Sequence, residues 1–84
     1  METELITWLK DGRYRIKTLQ LLSKKPLLSS ELAEELHINR ASMSRVLRDL
    51  ETKELVLAIS GKSRTVTYII EKKGKEILEY WERS

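Results

Sequence analysis

The sequence predicts a mainly α-helical domain carrying one small β-hairpin, and three features of its apolar pattern predict it. From Leu5 to Leu50 the large apolar residues recur three or four positions apart, in segments punctuated by Gly12, by Pro26 and by "HIN" at 37–39. Between Leu55 and Ile70 the period changes to two, in "LVLAIS" and "TVTYII", both rich in β-branched residues. From Glu71 the helical period returns. The predicted order is helix, helix, helix, helix, hairpin, helix, within one domain spanning residues 1–84.

The first helix, 1–11, puts Leu5, Ile6 and Leu9 on one face with Trp8 beside them, and Gly12 stops it. The second, 13–24, carries Ile16, Leu19 and Leu22 as an amphipathic stripe, and Pro26 prevents its continuation. In the third, 29–36, Leu32 and Leu36 face the core, and Ala33 is small enough for another helix to cross closely. The fourth, 39–53, opens at Asn39, whose side-chain oxygen can accept from the first free backbone N–H groups. The hairpin covers 55–70 with "GKSR" at its tip. The last helix, 71–83, gathers Ile77, Leu78 and Trp81 on one face.

At 84 residues a single core only just suffices, and association with a second copy would help it. The absence of cysteine excludes disulfides, thiol redox sensing and thiolate metal sites, and a single histidine, His37, excludes a conventional metal cluster. No nucleophile–base pair and no Gly-rich phosphate loop ahead of a helix is present, so neither an enzyme nor a cofactor-dependent protein is expected. No apolar run reaches the ~18 residues that cross a bilayer. The acidic start "METELITW" is not a signal peptide, so the chain reads as cytoplasmic, with no membrane partner. The net charge of +3 and pI of about 9.3 lean mildly basic, so the position of the charge matters more than its sum.

That position is distinctive in "INRASMSRVLRDL", residues 38–50. Two helices joined only by "HIN" must cross steeply, as a helix-turn-helix. Advancing about 100° per residue from Met43 places Val46, Leu47 and Leu50 on the buried side. Ala41, Arg45, Arg48 and Thr52 then fall opposite, with Ser42 and Ser44 on the flanks. A helix entering a major groove needs small residues where its backbone comes close and forked donors where guanine edges lie. It also needs hydroxyls and cations for phosphates. Asn39, Arg40, Ala41, Ser42, Ser44, Arg45 and Arg48 supply these, while a plain solvated helix face would supply the same charges without the use. Asp49, four residues beyond Arg45, offers that alternative as a surface ion pair. Lys62, Ser63 and Arg64 at the hairpin tip extend the basic surface, because no acidic residue occurs between Leu55 and Ile70.

The stretch "PLLSSELAEELHINRASMSRVLRDLETKELV", followed by a basic hairpin and "KKGKEILEYW", resembles the winged helix-turn-helix transcriptional regulators of bacteria and archaea, of the MarR, ArsR and PadR kind. The resemblance covers roughly residues 13 to 83. Its most specific part is "ELAEEL…INRASMSRVLRDLE", where Ser44-Arg45 and the flanking apolar positions match the family pattern S-x-x-T-V-S-R-x-L-x-x-L. It implies a homodimer on a pseudo-palindromic double-stranded DNA operator, with the helix from Arg40 in the major groove and the wing at Lys62 to Arg64 beside it. Two positions depart from the family: His37 stands where glycine usually makes the tight turn, and Glu54 where glycine usually ends the recognition helix.

Leu5, Ile6, Trp8 and Leu9 at one end and Ile77, Leu78 and Trp81 at the other form apolar faces on terminal helices, expected to meet across a two-fold axis. Glu31, Glu34 and Glu35 argue that their surface points away from phosphates, and Glu71 and Glu76 make "KKGK" at 72–75 a solvated face. His37 reads as a surface turn residue rather than a pH sensor or ligand. The expected function is sequence-specific DNA-binding transcriptional regulation. The rival is a winged helix serving as a protein-interaction module, which the basic groove face disfavours because a docking surface should be apolar at its centre.

Overall fold

The computed structural model describes residues 2–61 and 65–83. The described residues form five helices and a small antiparallel sheet: α1 (Glu2–Asp11), α2 (Arg15–Leu22), β1 (Leu27–Leu28), α3 (Ser29–Leu36), α4 (Arg40–Thr52), β2 (Val56–Ser60), β3 (Val66–Ile70) and α5 (Lys72–Arg83). The strand order is β1-β3-β2, with Leu27 opposite Tyr68 and Val56 opposite Ile70. This is the winged helix fold. The strand β1 is an addition to the sequence reading, because two residues are too few to show a period.

Each apolar stripe meets the others in one core. Leu19 and Leu22 from α2, Leu32 and Ala33 from α3, and Met43, Leu47 and Leu50 from α4 are all buried, with Leu55 and Val56 closing the wing root over them. Among the described residues Thr18 is a buried polar side chain, and its hydroxyl donates to the Tyr14 carbonyl at 2.8 Å, so it is not left unpaired. Across the base of the hairpin, the Glu71 N–H donates to the Leu55 carbonyl at 2.9 Å. Gly74 lies against that same carbonyl, where a Cβ would overlap Leu55 O and come within 2.8 Å of Ile70 Cγ1. The glycine lets α5 seat directly on the wing root.

The terminal helices also join this core, and they cover part of the expected interface between copies within the chain itself. Leu9, Ile77 and Leu78 are only 1%, 1% and 6% exposed within the chain itself, because α1 and α5 pack on each other and α5 on α2. Leu5, Ile6, Trp8 and Trp81 pack at the margin of the core and stay partly exposed. Among the described residues, no helix is long and apolar enough to cross a membrane.

Candidate nucleic-acid interface

The turn between α3 and α4 is made by a residue in an unusual conformation. His37 takes φ 57° and ψ 44°, the left-handed region, and Ile38 N–H donates back to the Ala33 carbonyl at 3.0 Å. The same closure recurs after α4, where Glu54 has φ 63° and Leu55 N–H donates to the Leu50 carbonyl at 3.0 Å. Both sites thus keep the glycine-type helix ending without glycine. Asn39 follows the turn in extended conformation and accepts from Ser42 N–H through Oδ1 at 2.7 Å, which fixes where α4 begins.

Met43, Leu47 and Leu50 anchor one side of α4 in the core, with Val46 at its edge. The anchoring leaves Arg40, Ala41, Ser42, Ser44, Arg45 and Arg48 exposed. No acidic residue occupies the first turn of α4, so the positive end of its dipole is uncompensated from within the helix. Asn39 is exposed too, with its oxygen occupied by the cap.

Asp49 does not pair with Arg45. Its carboxylate instead lies 3.9 Å from the guanidinium of Arg15, at the start of α2, and among the described residues Arg45 makes no ion pair. The sequence reading missed Arg15, because that contact joins distant segments and leaves no trace in local spacing. A second surface was also missed: Ser29 and Ser30 at the start of α3, Arg40 of α4, and Thr65 and Val66 of the wing line one groove. It links the start of α3, the start of α4 and the wing. Glu31 reaches back to accept from the Leu28 N–H at 2.8 Å, so its carboxylate is engaged in capping α3. Glu34 and Glu35 join it beside Lys24 and Lys25 along another groove between α2 and α3. On β3, burial raises the Tyr68 pKa above its ordinary 10.0, and the nearby Glu51 adds to the shift.

The wing rises from β2 and β3 in a continuous ladder from Val56 opposite Ile70 to Ser60 opposite Val66, closed by Gly61 N–H donating to the Thr65 carbonyl at 2.9 Å. The tip residues Lys62, Ser63 and Arg64 lie outside the described residues.

The sequence profile of the MarR family matches residues 16–64, from α2 through α4 to the wing. Comparison with curated proteins gives no match. Among solved structures, the chain is similar to the transcriptional regulator BldR from Sulfolobus solfataricus, with 24% identity and a TM-score of 0.77 over 82% of this chain and 51% of that one. It is similar to the adhesin competence repressor AdcR from Streptococcus pyogenes, with 17% identity and a TM-score of 0.79 over 96% of this chain and 65% of that one. A ZitR mutant from Lactococcus lactis in complex with DNA gives 20% identity and a TM-score of 0.77, over 86% of this chain and 51% of that one. At such identities these likenesses establish the fold alone, and the chain spans only part of each relative's length. The profile narrows the broader resemblance, which included ArsR and PadR regulators, to one family. With its match running through more than half of the residues, the chain belongs to the MarR family.

Proposed function

We propose that this protein is a cytoplasmic, sequence-specific double-stranded DNA-binding transcriptional regulator acting as a homodimer on a pseudo-palindromic operator. In this reading α4 enters the major groove, and Lys62, Ser63 and Arg64 of the wing bind the adjacent groove or backbone. One observation carries it: the core holds α4 by one side and leaves Arg40, Ser42, Ser44, Arg45 and Arg48 exposed together, with the Asp49 carboxylate lying 3.9 Å from Arg15. Such a face combines small residues, hydroxyls and forked cations, as base and phosphate contacts require. The groove from Ser29 and Ser30 past Arg40 to Thr65 gives a phosphate backbone a polar track beside it. The ZitR structure with DNA supports the reading as a precedent for this fold.

The rival, a protein-docking module, has its own observation. Leu57 and Ile59 on the edge strand β2 are 41% and 45% exposed. They lie on the wing, however, and not on the face of α4.

Duplex binding followed by fluorescence anisotropy across salt concentrations separates the two. A groove-bound protein loses affinity linearly in log–log salt, by roughly 0.9 units of slope per phosphate neutralised. Replacing Lys62 and Arg64 with alanine should weaken all duplexes about equally and flatten the slope by roughly one unit per lost phosphate contact. An unchanged slope removes the wing from the interface, and absence of salt-dependent binding by the unaltered chain defeats the DNA reading.

A further inference from the structure

Arg15 sits outside the helix-turn-helix, yet two other helices converge on its side chain. Its guanidinium carbon stacks 4.0 Å from the centroid of the Trp8 ring on α1. Its Nη1 donates to the Trp8 backbone carbonyl, and its Nη2 faces the Asp49 carboxylate on α4 at 3.9 Å. The side chain reaches this position across Gly12, where a Cβ would overlap its Nε, Cδ and Cγ. With the Arg15 side chain only 20% exposed, the guanidinium is held by packing as well as by charge.

We propose that Arg15 is a positioning residue for DNA recognition: by binding Asp49 it keeps that carboxylate from neutralising Arg45. The inference rests on the reading of α4 as the groove helix. Asp49 and Arg45 stand four residues apart, the spacing at which opposite charges pair along a helix. Asp49 therefore has two possible guanidinium partners. If Arg45 took it, the arginine would have to shed a carboxylate before meeting a guanine, and a negative charge would stand near the phosphates. Arg15 draws the carboxylate toward α1 and α2 and leaves the groove face cationic. Trp8 provides the fixed platform, since the ring holds the guanidinium from one side while Lys53 lies 5.4 Å from the ring centroid. Gly12 is part of the same device, because only a residue without a side chain leaves that path open.

Two substitutions release Asp49 by different routes. Arg15→Gln removes the partner, and Gly12→Ala displaces it without changing the charge of the chain. The probe is a fluorescein-labelled duplex of the sequence enriched by the full chain from a random pool. Each change should weaken binding by about twofold for each α4 in a groove, the size of a helical ion pair that must be broken. In an Asp49→Asn background neither change should alter binding, and in an Arg45→Ala background neither should weaken it further. A purely structural role would not depend on Asp49 or Arg45. Weakening that persists in either background overturns the proposal, as does tight binding by Arg15→Gln in the otherwise unaltered chain. Should Gly12→Ala fold poorly by thermal denaturation, the Arg15→Gln arms decide alone. A chain that binds no duplex at all defeats the DNA reading itself, an outcome distinct from unaltered affinity in Arg15→Gln.

Discussion

An arginine on an exposed helix face can solvate the surface or read a ligand, and Arg45 is where the two uses part. It is exposed, lies opposite Met43, and makes no ion pair with its i+4 acid Asp49, whose carboxylate lies 3.9 Å from Arg15. A fork in that position can span the O6 and N7 of guanine, a contact worth about 1–3 kcal/mol of discrimination. Arg45→Ala should therefore leave folding stability within about 0.5 kcal/mol by chemical denaturation, as surface changes usually do. Preference at one symmetric pair of operator positions should disappear in a competition assay. Retained preference would assign the base reading to another residue. The exposed set on α4 was legible in the sequence because the helical period separates Met43, Leu47 and Leu50 from the arginines. The ion pair was not legible: Arg15 and Asp49 meet only once α2 and α4 are packed, and local spacing favoured the neighbour Arg45.

Helices and hairpin announced themselves through their periods, and the fold class followed from the order in which those periods changed. What local pattern could not supply was β1, which exists because Leu27 and Leu28 align beside Tyr68 and Thr67 of β3. Nor could it show that the stripes of α1 and α5 are covered by the chain itself, since periodicity reveals an apolar face and not its partner. The seat of α5 illustrates how exacting that covering is. At Gly74 a Cβ has nowhere to go but into a backbone carbonyl and the Ile70 side chain. Gly74→Ala should raise helix propensity and still destabilise the fold, by about 1–3 kcal/mol through overpacking. Denaturant melting measures this directly, and a neutral or stabilising outcome would mean that α5 can shift on the wing root at little cost.

The whole chain brings together a core that includes both terminal helices, an exposed arginine-bearing face of α4 and a wing. Leu5, Ile6, Trp8 and Trp81 remain as a partly exposed apolar margin, and these four are the surface on which we expect a second copy to pack. Sedimentation of the chain at micromolar concentration should give a dimer. A species that stays monomeric even on DNA would remove the homodimer from the reading and with it the expectation of a two-fold operator. A dimer of groove helices must read two half-sites related by symmetry and separated by about one helical turn or a multiple of it. The most direct measurement is the selection of bound sequences from a random duplex pool by the unaltered chain. Enrichment of an inverted repeat, with a guanine preference that Arg45→Ala abolishes, is the predicted result; a pool that stays random after repeated rounds would contradict sequence-specific DNA recognition by this fold.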